Sequence, residues 1–468
     1  MKTQMKQWAY GGLLAATTAS AAMATSTQQD QAALEAQAGI GVGYTVKLAC
    51  SEVFVAGRDF DQVVADSFFG VDDMLHQVEL TLDRNSRSVR GHLFGMGART
   101  AWFREGFGCT VNDGTALPVL APPAQGMAAQ GTAARGTQAQ PYPEAPQPEV
   151  QQALAAFFPD SQDGDPLIGR GAVVVQNGAI IAEQYRQGFD KDTPQLSWSM
   201  AKGVMQALIG IAVGDGTLSL SDKQLMPQWR GGDPRAEITV GQLLHMGSGL
   251  QFNELYSAEN ASDVATMLFG PADMAGFAAA MPLEHAPGTV SRYSSGSSNI
   301  LSHVLRDRLQ GAAGDTGYLH YPQERLFSQI GMDSAVFEPD AAGVFVASSY
   351  VYATPRDYAR FGQLYLQDGL WQGQRILPAG WVDYTRQPAL GSDPRYGSHW
   401  FLNQDQSALP GLPSDVTYLF GNEGQFIFVI PSKNAVIVRT GLMHGSARFE
   451  QDIVPVVQAI YASLPDPS

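Results

Sequence analysis

Ser199-Met200-Ala201-Lys202, continued by Gly203-Val204-Met205-Gln206-Ala207-Leu208-Ile209-Gly210-Ile211, is the stretch that decides the reading of this chain. Its first four residues form the only Ser-x-x-Lys in the sequence, and the run that follows is apolar nearly all round. That composition predicts a central helix rather than a surface one, stopped by Gly214-Asp215-Gly216. Residues three apart on a helix are neighbours, so Ser199 and Lys202 share a face. A hydroxyl beside an amine that burial can make neutral is an acyl-transfer nucleophile with its base. The free N–H groups at a helix start suit a developing oxyanion. The plainer alternative is that Ser199 only caps the helix and Lys202 reaches the surface along its stem.

Working outward, 468 residues with 44% hydrophobic and 16% charged content describe a globular chain of more than one domain. A net charge of -16 excludes a basic stripe for nucleic acid. The eight histidines form no His-Glu-x-x-His, and two cysteines cannot cage a metal, so no metal or cofactor is expected. Lys2 and Lys6 precede an Ala/Leu/Gly-rich stretch, Trp8 to Ala24, ending in the small-x-small site Ala22-Met23-Ala24. Residues 1–24 are therefore expected to be an export signal, and the mature chain periplasmic or secreted. No integral membrane span is expected: the best candidate, Gly39 to Gly57, contains Lys47 and Glu52. In an oxidising compartment Cys50 and Cys109 either pair or stay as two buried thiols.

Residues 31–115 read as a small accessory domain without chemistry, in which Val78, Leu80 and Leu82 alternate with Glu79 and Thr81 as a half-buried strand. Residues 116–149, dominated by Ala, Pro, Gln and Gly, read as a linker. The third unit is 150–468. Within it Glu149 to Phe158 predicts a helix, and Ala172 to Gln176 with Ala179 to Tyr185 a hairpin turning at Asn177-Gly178. Thr354-Pro355 starts a helix that runs to Gly369. Phe426 to Ile430 and Ala435 to Arg439 predict paired central strands, and Ile453, Val457, Ile460 and Tyr461 one face of a last helix. A sheet assembled from both ends of this unit, with a helical insert covering one side, would leave a cleft between the two.

Two further segments join Ser199 and Lys202. Tyr293-Ser294-Ser295 lies in a small polar loop before Ile300, Leu301, Val304 and Leu305, where a tyrosine hydroxyl can relay a proton. Gly421-Asn422-Glu423-Gly424-Gln425 precedes the strand at Phe426, where glycines allow close backbone approach and an N–H can serve an oxyanion hole. His245 reads as a satisfied core or surface histidine, His444 as a loop residue, and Glu254 and Tyr256 as candidates to line a pocket. No Gly-x-Ser-x-Gly is present.

The order and spacing of these segments resemble the β-lactamase-related serine hydrolases: class C β-lactamases, esterases built on that fold, and 6-aminohexanoate-dimer hydrolases. Ile238-Thr239-Val240, Leu243 to Leu250, Arg356 to Gly362, Arg395-Tyr396-Gly397 with Trp400, and Gly421-x-x-Gly424-Gln425 carry the resemblance further, nearest to the last branch. It covers about residue 165 to the end. It implies an α+β, penicillin-binding-protein-like fold, with a mainly antiparallel sheet, flanking helices and a helical subdomain. It implies Ser199 as nucleophile, Lys202 as base, Tyr293 as relay and the Asn422 N–H as second oxyanion donor, with Ser295, Gly421 and Gly424 beside the substrate. Ser295 stands where many relatives have asparagine, and no Lys-Thr-Gly precedes Phe426. The first replaces by a hydroxyl the side-chain amide that positions an acyl amide in the relatives, and the second favours an ester or amide substrate over a β-lactam or a peptidoglycan peptide. The remaining alternative is a non-catalytic sensor on the same fold.

Overall fold

The computed structural model describes residues 18–68, 73–112, 141–159, 167–255, 262–313, 315–389, 394–443 and 447–466, together with positions 117 and 120. Residues 1–17 of the expected export signal, most of the expected linker, Tyr256 and His444 lie outside them.

The described chain opens with helix α1, Thr18–Phe54, followed by a four-stranded antiparallel sheet. Its strands are β1 (Val78–Asp83), β2 (Ser88–Leu93), β3 (Met96–Arg104) and β4 (Gly108–Asn112). From Val42 to Val53 almost every residue of α1 is buried. The helix has the sheet on one side and residues 263–269, Trp198 and Glu338 on the other. A Cβ at Gly39 would strike Arg99, and one at Gly43 the Phe269 carbonyl oxygen, so the small residues let both layers close on the helix. The helix that sequence periodicity did not announce is thus a packed layer between two others. The segment read as free of chemistry lies directly against the Ser199 turn.

Two ties hold α1 in place. Cys50 and Cys109 are disulfide-bonded, joining α1 to β4 across a separation of 59 residues. Loop closure of that length stabilises by about 4 kcal/mol in the chain-entropy account. Lys47 forms a buried ion pair with Glu338. Glu338 also accepts from the Ser51 hydroxyl at 2.8 Å and from the Cys109 N–H at 2.7 Å.

The larger body runs through α2 (Pro148–Leu154), β5 (Leu167–Gln176), β6 (Ala179–Tyr185), α3 (Ala201–Gly214), α4 (Ser295–Ala313), α5 (Pro355–Leu366), β7 (Phe401–Leu402), β8 (Thr417–Gly421), β9 (Gln425–Ile430), β10 (Ala435–Met443) and α6 (Val454–Ser463). Its six-stranded sheet has the order β7-β8-β9-β10-β5-β6, antiparallel throughout. The sheet is assembled from both ends of the body, with Val173 opposite Val438 at the join. Between β6 and β7 the chain is mainly helical, so the mixed α+β expectation holds.

Strand side chains alternate between faces. Phe426, Phe428 and Ile430 pack under Val150 and Leu154 of α2 and Val457 and Ile460 of α6. Ile427 and Val429 join the opposite core with α3 and α5. Full burial of each such side chain is worth about 1.5–3 kcal/mol. The β5–β6 turn puts Asn177 at φ 51° and Gly178 at φ 79°, the left-handed pair that matches strand twist. The Thr354 hydroxyl caps α5 by accepting from the Asp357 N–H, with Pro355 in the first turn.

One end of the stretch read as linker belongs to the sheet edge. The Ala145 and Gln147 N–H groups donate to the carbonyls of Ile180 and Ile181, and the Ile180 N–H donates to Pro143 O. Proline, with no N–H, is compatible with an edge position, which composition alone cannot distinguish from a linker.

Candidate active site

Ser199 lies in a short 3-10 turn, Trp198–Met200, that feeds into α3. The turn is held from behind: the Ser197 N–H donates to Val351 O at 2.8 Å, and Gln195–Leu196 pair with Tyr352–Ala353. Ser199 is half-buried, whereas Lys202 is 1% exposed because α3 is surrounded on all sides. Lys202 Nζ is 2.9 Å from Ser199 Oγ, 3.1 Å from Ser295 Oγ and 3.0 Å from the Ser348 carbonyl oxygen. Desolvation pushes the Lys202 ammonium down to about 8, against the opposing pull of Glu254. A neutral amine there donates to Ser295 and Ser348 and keeps its lone pair for the Ser199 proton.

The other two partners are fixed by α4. Asn299 Oδ1 accepts from the Ser348 N–H at 3.1 Å, aligning that carbonyl. Ser295 starts the helix, and both its N–H and its hydroxyl go to the Glu254 carboxylate, the hydroxyl at 3.3 Å. Burial raises the Glu254 carboxyl above its ordinary value, with Lys202 opposing. The chain Glu254, Ser295, Lys202, Ser199 is therefore continuous: the Ser295 hydroxyl donates to the carboxylate, and the Lys202 amine lies within hydrogen-bond reach of both serine oxygens.

Tyr293 is brought to the same place with its ring face toward the amine: Lys202 Nζ lies 4.8 Å from the ring centroid. Tyr396 meets Tyr293 edge-on at 5.6 Å, and Phe401 stacks on it at 6.1 Å, forming an aromatic wall. Asn422 is half-buried in the turn between β8 and β9. Gly421 brings that turn against the backbone of the Ser199 turn: a Cβ there would lie 2.1 Å from Ser197 O and 3.1 Å from Trp198 Cβ. Gly424 lies against the Arg439 guanidinium, which donates to its carbonyl.

Ser348, Asn299 and the Glu423 carboxylate were not singled out in the sequence. Glu423 accepts from the Trp198 indole N–H at 3.0 Å and from the Tyr44 hydroxyl at 2.9 Å. His399 is a neutral buried imidazole, pushed down to about 3 by burial and bonded to Ser298 and Leu244 O. His245 is engaged by Gly241 O and the Tyr384 hydroxyl, as a satisfied core histidine is. Among the described residues no group of three His, Cys, Asp or Glu side chains could hold a metal ion, and no helix is long and apolar enough to cross a membrane.

Residues 154–449 match the family model described as beta-lactamase. The chain is 26% identical over 315 residues to a 6-aminohexanoate-dimer hydrolase of Paenarthrobacter ureafaciens, covering 61% of this chain and 76% of that one. It superposes on a Bacillus anthracis protein, provisionally assigned as a 6-aminohexanoate-dimer hydrolase, with TM-score 0.56 and 22% identity over 69% of this chain and 87% of that chain. A family VIII carboxylesterase superposes with TM-score 0.51 and 17% identity over 68% and 98% of the respective chains. At these identities the structural likeness speaks for the fold.

Proposed function

The chain belongs to the β-lactamase family, and from that premise we propose that it hydrolyses carboxylic esters or amides through an acyl-enzyme on Ser199. The observation that carries the reading is the 2.9 Å approach of Ser199 Oγ to a desolvated lysine whose pKa is near 8. The neutral Lys202 amine takes the Ser199 proton as Oγ adds to the substrate carbonyl carbon. The N–H groups of Ser199 and Asn422 face the tetrahedral oxyanion. Collapse breaks the bond to the leaving group, which takes the proton held by Lys202, with Tyr293 as relay. Water, deprotonated by the same amine, then adds to the acyl carbon, and Ser199 leaves with its proton restored.

Tyr293, Tyr396 and Phe401 give the substrate an aromatic border suited to an uncharged acyl or leaving group. The absence of Lys-Thr-Gly before Phe426 favours an open-chain ester or amide over a β-lactam. A linear amide of the 6-aminohexanoate-dimer kind is the first amide to try. The Cys50–Cys109 disulfide supports export to an oxidising compartment, periplasmic or extracellular.

The test compares turnover of a p-nitrophenyl short-chain ester, the 6-aminohexanoate dimer and a chromogenic cephalosporin by wild type and Ser199→Ala. Loss of ester or linear-amide turnover in the variant supports the reading. Wild-type turnover by Ser199→Ala overturns it, and efficient cephalosporin cleavage would move the substrate to β-lactams.

A further inference from the structure

We propose that the amino-terminal segment is part of the catalytic unit, with Tyr44 of α1 as a positioning residue for Ser199. The inference rests on the Ser199 reading above but concerns a part of the chain that the family model, residues 154–449, does not reach.

Three buried side chains from three distant segments close a ring behind the serine. The Tyr44 ring stacks on the Trp198 indole with centroids 6.2 Å apart and planes 14° from parallel. The Tyr44 hydroxyl donates to Glu423 Oε1 at 2.9 Å, and Trp198 Nε1 donates to Glu423 Oε2 at 3.0 Å. Trp198 is bonded to Ser199, and Glu423 to Asn422, the proposed oxyanion donor. One carboxylate thus ties the nucleophile turn to the turn that carries the second N–H, and Tyr44 supplies half of its hydrogen bonding from this ring.

The backbone explains why such a tie matters. Trp198 has φ 46° and Glu423 φ 61°, both in the left-handed region that side chains other than glycine rarely occupy. Such conformations persist where the surroundings over-determine them. Without Tyr44 the Trp198 indole loses its stacking partner and Glu423 keeps a buried, under-paired oxygen. Relaxation of either backbone would move Ser199 Oγ or the Asn422 N–H. α1 is well placed to impose this constraint, because the Lys47–Glu338 pair and the Cys50–Cys109 bond lie on the same helix, about one and two turns beyond Tyr44.

The full chain is tested with a fluorophosphonate, which labels an activated serine without needing the natural substrate, alongside kcat and KM for a p-nitrophenyl ester. Tyr44→Phe keeps the ring and removes the hydroxyl; Tyr44→Leu removes both. Labelling rate and kcat are expected to fall about tenfold in Tyr44→Phe and about a hundredfold in Tyr44→Leu, with KM within about twofold of wild type. Val46→Ala, two residues on and packed toward Gly91 of the small sheet, is the stability control. It should lower the unfolding midpoint while leaving the labelling rate unchanged. Wild-type labelling rates in both Tyr44 variants would overturn the proposal, as would an equal loss in Val46→Ala at matched stability. If Ser199→Ala were still labelled like wild type, the serine assignment itself would fail, and Tyr44 would have nothing to position.

Discussion

Glu254 accepts both the backbone N–H and the hydroxyl of Ser295, and so stands one hydroxyl away from Lys202. Its negative charge pulls the Lys202 pKa up while burial pulls it down, and burial prevails to leave it near 8. Since neutral Lys202 is the proposed base, kcat/KM should rise with pH through a midpoint near 8. Glu254→Gln removes the upward pull, so the rising limb should move to lower pH. A pH series on an ester substrate reads this directly, and a limb that stayed put or moved to higher pH would sink the assignment.

The same burial has a stability consequence of opposite sign to its catalytic use. A lysine held near 8 in the folded chain and at 10.5 in the unfolded chain penalises folding below about pH 8, and the penalty disappears as pH rises toward 10.5. At pH 7 it amounts to at most about 3 kcal/mol. Lys202→Met should therefore abolish turnover while raising stability at pH 7 by up to that amount. Urea unfolding of both proteins at pH 7 and pH 10 checks it: the gain must shrink at the higher pH.

Gly421 has ordinary extended backbone, φ -106°, so its substitution acts by contact and not by strain. The Cβ of Gly421→Ala would lie 2.1 Å from Ser197 O and force the β8 end and the Ser199 turn apart. We expect a loss of about 1–3 kcal/mol in stability and a fall of about a hundredfold in kcat. An active-site titration beside a thermal melt separates the two, and a variant with full kcat would show that the turns do not act together.

Removing the Lys47 charge deprives buried Glu338 of its paired ammonium and leaves it with the electrostatic pull of Arg104. Lys47→Met should cost about 3–5 kcal/mol, and adding Glu338→Gln should recover part of it, because the orphaned charge is then gone. Equilibrium denaturation of the two variants decides the matter. A double variant less stable than the single one would mean that the pair is not held as described.

Reduction of the Cys50–Cys109 bond, or Cys50→Ala with Cys109→Ala, should lower stability by about 4 kcal/mol. The readout is the denaturation midpoint with and without reductant. An unchanged midpoint would show that α1 is held without the disulfide.

Much of the larger body is legible before any folding is considered. The Asn177-Gly178 turn, the Thr354-Pro355 cap and the apolar runs of β9 and β10 depend on residues within a few positions of one another. The Ser199–Lys202 pairing is of the same kind, since a helix brings residues three apart together whatever surrounds it. The part of α1 from Val42 to Val53 escaped because a helix buried on every side has no polar face, and its glycine and lysine resemble neither a surface helix nor a membrane span. The residues 141–147 escaped because the backbone hydrogen bonds they make at the sheet edge need only a neighbour, and that neighbour, β6, lies some forty residues on in the chain.

The features legible in the amino-acid order are local: which serine faces which lysine, where the chain turns, and which strands are apolar on both faces. Long-range packing alone desolvates Lys202, sets Glu254 and Ser348 around it, and brings Tyr44 to Trp198 and Glu423 from the far end of the chain. The reason is physical. Backbone geometry and side-chain spacing act over a few residues, whereas burial, electric field and hydrogen-bond closure are properties of whatever the folded chain places next to a group.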